Sequence, residues 1–209
     1  IIGTGSCLPD KIVTNQDMEK IVDTTDEWIR TRTGISERRI TDENTATSDL
    51  ATAAALRALE NANIRPEEID LIIVSTVTPD MMFPSTACIV QKNIGAVNAA
   101  AFDLEAACSG FLYGLAIADS LVRAGSFNKI LVIGAETLTK ILDFTDRNTC
   151  VIFGDGAGAA IISEVPEGYG IMSTYIGADG SGGDLLKVPA GGSRIPASAE
   201  SVQNRMHYV

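Results

Sequence analysis

The chain has 209 residues, 45% of them hydrophobic and 21% charged, with a net charge of -11 at neutral pH. That length is enough to bury a core in one domain or two small halves, and the acidic balance argues against non-specific nucleic-acid binding, because phosphate backbones demand a basic face. No uncharged apolar run approaches the roughly 18 to 20 residues of a membrane-spanning helix, and the opening IIGTGSCLP lacks the basic start of a signal peptide; the expectation is a soluble, cytoplasmic protein without membrane partners.

Short apolar runs alternate with helical patterns. IIGTGSCL reads as a buried strand, and a helix starts near Asn15 in NQDMEKIV. The stretch WIRTRTGISERR concentrates Arg30, Arg32, Arg38 and Arg39 in a protein with sixteen basic residues. It reads either as a solvated loop or as a local basic patch for an anionic ligand. A helix runs from about Thr47 to Asn63, with Thr47 or Ser48 as N-cap. DLIIVSTV is a strand, a helix follows Pro84, and NAAAFDL is the next strand. The helix after Cys108 is apolar nearly all round from Ser109 to Ala124, so it belongs between layers with a sheet on each side. KILVIGA and GAAIIS complete the strands, and beyond about Glu164 the Gly-, Ser-, Ala- and Pro-rich sequence reads as loop or linker.

Strands alternating with helices predict an α/β fold with a largely parallel sheet. The expected organisation is residues 1–165 as a half carrying the chemistry, and 166–209 as a connecting strand and loop region. One sheet leaves the apolar helix uncovered on its far side. The 209 residues are therefore expected to be less than a whole folding unit, and on their own to be inactive and unstable.

The four cysteines, Cys7, Cys88, Cys108 and Cys150, are far apart and form no CxxC pair. They read as reduced thiols, with neither a zinc site nor a disulfide framework, and no metal is expected. Cys108 is the one with a chemical context. The strand NAAAFDL leads through Glu105, Ala106 and Ala107 into the helix, which places the thiol near a helix N-terminus. There the macrodipole favours a thiolate, and unpaired N–H groups can donate to an oxyanion. From position alone, a buried cysteine acting as a small hydrophobe fits equally well. The stretch IFGDGAGAA has neither the GxGxxG spacing nor the lysine of a nucleotide loop.

The order and spacing of GTGSCLPDKIVTN, DTTDEWIRTRTGISERR, FPSTAC, EAACSGFLYGL, FTDRNT and IFGDGAGAA resemble the β-ketoacyl-acyl-carrier-protein synthases of type III, condensing enzymes of the thiolase superfamily. The resemblance runs from residue 1 to about 183. It implies a thiolase-like layered αβαβα fold, of which this chain supplies mainly the N-terminal half. It also implies that Cys108 takes an acyl group, acetyl in the first instance, from acyl-CoA, and that the acyl group then condenses with malonyl-acyl carrier protein with loss of carbon dioxide. By the same resemblance Thr24, Trp28, Arg32 and Arg147 bind coenzyme A, whose adenine lies against the indole and a guanidinium. Phe153 faces the thiol, Leu138 lines the acyl pocket, and Phe83 closes the pocket of a partner in a homodimer. Read without the resemblance, Trp28, Phe83 and Leu138 are ordinary packing residues. No cofactor is implied, since the coenzyme A thioester is a substrate.

The family's catalytic histidine and asparagine are not matched. The one histidine, His207 in QNRMHYV, reads as an incidental strand residue. Alternatives are another acyl-CoA-using synthase of the superfamily, making a polyketide starter, a quinolone or a hydroxymethylglutaryl-type thioester, or a non-catalytic partner subunit. Cys108 argues against the last.

Overall fold

A computed structural model describes residues 1–209. Along the chain the elements are β1 (Gly3–Cys7), β2 (Ile12–Thr14), α1 (Asn15–Met18), α2 (Asp26–Thr33), β3 (Glu37–Arg39), α3 (Thr47–Ala62), β4 (Leu71–Ser75) and α4 (Thr86–Ile94). They continue with β5 (Ala100–Leu104), α5 (Gly110–Arg123), β6 (Lys129–Thr137), α6 (Arg147–Cys150), β7 (Asp155–Ser163) and α7 (Ala199–Gln203). The chain forms two compact units that interleave in sequence. One comprises Ile1–Pro9, Thr41–Glu136 and Gly156–Ile176; the other comprises Asp10–Ile40, Thr137–Asp155 and Gly177–Val209.

The first unit is built on a five-stranded sheet of order β1-β7-β6-β4-β5. β4 runs parallel to β5 and β6, while β1 is antiparallel to β7, so the sheet is mixed and not uniformly parallel. All five expected strands form. β4 is buried at every position because both of its faces are covered: Ile72 and Val74 join the core of α3 and α4 with Ala54, Ala58 and Val90, and Leu71 and Ile73 meet Ala118 of α5. A strand covered on both faces reads as a continuous apolar run, which is why LIIVS was legible without alternation.

α3 begins where expected but is capped differently. Ala46 is the N-cap, and its N–H donates to the Asp49 carboxylate at 2.8 Å. The hydroxyls of Thr47 and Ser48, expected as caps, are engaged elsewhere: Thr47 donates to the Thr78 carbonyl at 2.6 Å and Ser48 to the Asp80 carboxylate at 2.6 Å. α5 lies on the sheet along Gly110, Gly114 and Ala118, all buried, while Leu112 on the other side is 59% exposed. This chain supplies a sheet on one side of α5 and leaves the other side uncovered, in line with the expectation that the second layer lies outside these residues.

The second unit holds the β2–β3 pair, in register Val13↔Arg38, and a small core of Val13, Met18, Ile29, Cys150 and Val151. The arginine-rich stretch is a helix as far as Thr33, and its last two arginines lie on β3. Thr25 caps α2 by accepting from the Trp28 N–H at 3.0 Å, Gly34 ends it with φ of 75°, and Ile29 is its buried residue. Arg38 does not belong to a surface patch. It is buried, and its guanidinium donates to the Val13 carbonyl (3.1 Å), the Asn15 side chain (2.8 Å) and the Val151 carbonyl (3.1 Å). Residues 166–209 contain no strand; they form turns, a short 3-10 segment at Gly180–Gly182, and α7. His207 sits in a turn with its ring 4.0 Å from that of Tyr208, and not in a strand.

Candidate functional site

Cys108 lies in a 3-10 turn, Ala107–Ser109, that runs directly into α5. The parallel strands β4 and β5 end at Ser75 and Leu104, so the thiol stands at the carboxyl edge of the parallel part of the sheet, where open α/β sheets place their ligands. Two features fix it there. Gly110 lets α5 approach the sheet so closely that a Cβ at this position would stand 1.7 Å from Ser75 Oγ, and at Gly114 a Cβ would stand 2.7 Å from a Val132 methyl. The residue before the thiol, Ala107, has φ of 45°, a left-handed conformation that a residue with a side chain adopts only when its surroundings impose it. The result is an exposed thiol; the packing alternative from the sequence does not describe it. Cys150, by contrast, is buried, and burial pushes its thiol above the ordinary value.

The coenzyme-patch residues come together in the second unit. The guanidinium carbons of Arg32 and Arg147 lie 4.5 and 5.0 Å from the centroid of the Trp28 ring, within the range of cation–π attraction. Trp28 and Arg32 are one turn apart on α2, a spacing that puts them on one face. Arg147, at the start of α6, donates to the Asp23 carbonyl at 2.9 Å and lies 3.8 Å from its carboxylate. Thr24 Oγ1, in the residue before the α2 cap, is buried without a hydrogen-bond partner. Beneath α2, Asn15 donates to the Asp26 carboxylate at 2.7 Å and to the Ile35 carbonyl at 2.8 Å, and its oxygen accepts from Arg38. Buried Arg38 has its pKa lowered by desolvation.

The residues that the resemblance gives to an acyl pocket lie in different units. Leu138 and Phe153 are half-buried in the second, whereas Phe83 belongs to the first and is 84% exposed next to exposed Met81 and Met82. Packing within one protein core does not describe Phe83.

Two groups of functional interest were missed. Glu136, late in β6, accepts from the Val77 N–H (2.8 Å), the Thr78 N–H (3.1 Å), the Thr76 hydroxyl (3.2 Å) and the Thr78 hydroxyl. Burial raises its carboxyl above the usual range despite these donors. Asp143 is held at about 2 by Arg205 and by Thr145, whose N–H and hydroxyl donate to it. A polar residue inside an apolar strand was the available signal for Glu136; nothing in the sequence joins Asp143 to Arg205.

A family described as 3-oxoacyl-[acyl-carrier-protein (ACP)] synthase III matches residues 102–180. The chain is 65% identical, over all 209 residues and 63% of the relative's length, to a β-ketoacyl-[acyl-carrier-protein] synthase III of Caldanaerobacter subterraneus subsp. tengcongensis. Its fold superposes with a TM-score of 0.86 on the synthase III of Thermus thermophilus, at 49% identity over 90% of this chain and 58% of that one. The priming β-ketosynthase of the R1128 polyketide pathway superposes with a TM-score of 0.77, at 41% identity over 79% of this chain and 49% of that one. The fold is thiolase-like. Within that class the chain is similar along its whole length to 3-oxoacyl-[acyl-carrier-protein] synthases III, and it spans about 63% of the length of the curated relatives it matches.

Proposed function

We propose that the protein is an acyltransferase that starts fatty-acid synthesis. The Cys108 thiolate attacks the carbonyl carbon of an acyl-CoA, acetyl-CoA in the first instance. The C–S bond to coenzyme A breaks, and the acyl group remains on Cys108 while the released coenzyme A thiolate takes up a proton. Loss of carbon dioxide from malonyl-acyl carrier protein then leaves a carbanion that attacks the Cys108 thioester. This gives 3-oxoacyl-acyl carrier protein and frees the thiolate. Covalent capture divides one difficult carbon–carbon bond formation into two easier steps.

The observation that carries this reading is the exposed thiol at the start of a 14-residue helix, directly after a left-handed alanine. The N–H groups of such a helix end stabilise the negative charge that develops on an attacked carbonyl oxygen. Support for the coenzyme comes from Trp28 with the Arg32 and Arg147 guanidiniums both against its ring, and from the unpartnered Thr24 hydroxyl four residues earlier. A flat indole and planar cations suit an adenine, and arginine pairs with phosphate. The decarboxylating groups are proposed for the part of the relatives' length that this chain does not span. Exposed Phe83, with Met81 and Met82, supports a homodimer in which Phe83 enters the partner's acyl pocket; no helix is long and apolar enough to cross a membrane, which is consistent with a cytoplasmic enzyme.

The likeness to a priming polyketide ketosynthase supports a second reading, in which the same capture by Cys108 supplies a polyketide starter. Incubation with acetyl-CoA followed by intact-mass measurement tests the common step. An acetyl adduct that maps to Cys108 and is absent in Cys108→Ala is expected; an adduct that persists in that variant refutes the assignment. Turnover with carrier proteins of fatty-acid and polyketide type separates the two readings.

A further inference from the structure

We propose that Arg205 is a positioning residue for coenzyme recognition: through Asp143 it fixes the turn that holds Arg147 against Trp28. This deepens the coenzyme-binding reading of Trp28 and Arg147 and rests on it. Arg205 lies 62 residues from Asp143, yet its Nε donates to Asp143 Oδ2 at 2.9 Å, its Nη2 contacts Oδ1, and the same Nη2 donates to Thr145 Oγ1 at 3.2 Å. This is a forked guanidinium on a carboxylate, a geometry that restrains direction as well as distance. The backbone of Arg205 has φ of 56°, a left-handed conformation in a residue with a long side chain, and its guanidinium lies 5.4 Å from the Tyr208 ring. Backbone in that region persists where side-chain contacts impose it, and here the forked pair and the ring supply the contacts.

The carboxylate also organises the turn that precedes α6. Asp143 accepts from the Thr145 N–H at 2.8 Å and the Thr145 hydroxyl at 2.6 Å, and its carbonyl accepts from the Asp146 N–H at 2.9 Å. Asp146 in turn caps α6, accepting from the Asn148 N–H at 2.9 Å, and the first residue of α6 is Arg147. On its far side α6 is anchored by buried Cys150. On its near side the chain of contacts runs Arg205, Asp143, Asp146, Arg147, with the Val209 N–H bound to the Ile141 carbonyl at 2.9 Å as a second tie between the same two segments.

Trp28 is the chain's one tryptophan, so its fluorescence reads the position of Arg147 without any turnover. The test uses Arg205→Asn, because asparagine tolerates the left-handed backbone and lacks the guanidinium. Asp143→Asn is the second variant, since its side-chain oxygen still accepts from Thr145 while the ion pair is gone. Both are compared with Arg147→Ala and with the Arg147→Ala/Arg205→Asn double variant. Acrylamide quenching of Trp28 should rise in each single variant, and the dissociation constant for free coenzyme A should rise about two- to five-fold, the scale of one exposed cation–π contact. In the Arg147→Ala background, Arg205→Asn should add nothing to either quantity. Unchanged quenching in both Arg205→Asn and Asp143→Asn, or effects that add to those of Arg147→Ala, would overturn the proposal. If unaltered protein fails to bind coenzyme A, the functional reading fails, while the quenching series still decides whether Arg205 positions Arg147.

Discussion

Replacing Gly110 with alanine asks the structure a sharp question. The added Cβ would stand 1.7 Å from Ser75 Oγ, 3.1 Å from Ser75 Cβ and 3.7 Å from a Leu104 methyl. Ser75 is 4% exposed at the end of a strand paired on both sides, so its backbone has little room to retreat. α5 must therefore lift away from the sheet at its first turn. Overpacking of this kind costs about 1–3 kcal/mol, which in a protein of this size lowers Tm by roughly 2–10 °C. The same displacement moves Cys108, two residues earlier, and a misplacement of about 1 Å at a reacting group can slow a reaction about 100-fold. Ser75→Ala removes the worst contact and leaves the one at 3.1 Å, which a shift of a few tenths of an ångström relieves. A double-mutant cycle followed by urea unfolding and by the rate of Cys108 acetylation should show that Ser75→Ala restores at least about 1 kcal/mol in the Gly110→Ala background. Wild-type stability of Gly110→Ala, or strict additivity of the two changes, would show that the helix does not sit where its close packing places it.

Two further changes probe the chemistry. Trp28→Ala should raise the KM for acyl-CoA by about ten-fold or more, given roughly 1–3 kcal/mol for a base stacked on an aromatic ring, and Arg32→Ala by a smaller factor, with the KM for the carrier protein little changed in either case; steady-state kinetics with each substrate varied would reject the patch if both constants moved together. Glu136→Gln addresses the buried carboxyl. Burial raises its pKa, so the folded state binds this proton more tightly than the unfolded state does, and its contribution to stability falls as pH rises from the ordinary value of about 4.3 through the folded value. The variant should lose that downward slope in pH-dependent urea unfolding, and near neutral pH it should be about 1–3 kcal/mol less stable, because an amide NH2 then faces the Val77 or Thr78 N–H. An unchanged slope would mean that Glu136 is not the group titrating.

The centre of the sheet was legible because β4 and most of β6 are covered on both faces and so read as apolar runs bounded by turn residues, whereas the edge strands β1 and β5 are partly exposed. α2 was harder to see. Its eight residues, DEWIRTRT, bury only Ile29, so it carries almost no apolar period; its signals were local ones, Thr25 before it, acidic Asp26 and Glu27 in the first turn, and Gly34 after it. Those signals lost to the run of arginines, which spreads charge over a helix, a turn and the buried Arg38. β2 and β3, three residues each, are too short to show any period. The cap of α3 was misread because a hydroxyl at a helix start announces a cap only when it has no better partner, and Thr47 and Ser48 have partners about 31 residues away.

The candidate site divides along the same line between local and long-range information. The thiol's setting is local: Cys108 stands between the left-handed Ala107 and Gly110, whose close approach to Ser75 leaves no space for a Cβ, and that pattern is written within four residues. The Trp28 patch became legible through order and spacing of motifs, since Arg147 meets Trp28 across 119 positions of sequence. The support for that patch is long-range in a different way. Asn15 beneath α2, Arg38 beneath Asn15, and Arg205 on Asp143 each act through a side chain whose partner is named by folding alone, and none has a residue type that announces its role. Arg38 makes the point most clearly: beside Arg39 it looks like surface charge, yet three neutral acceptors hold it inside the core that seats Trp28. A charged residue is read as solvated by default, and what overturns the default is the count of acceptors that the fold brings to it.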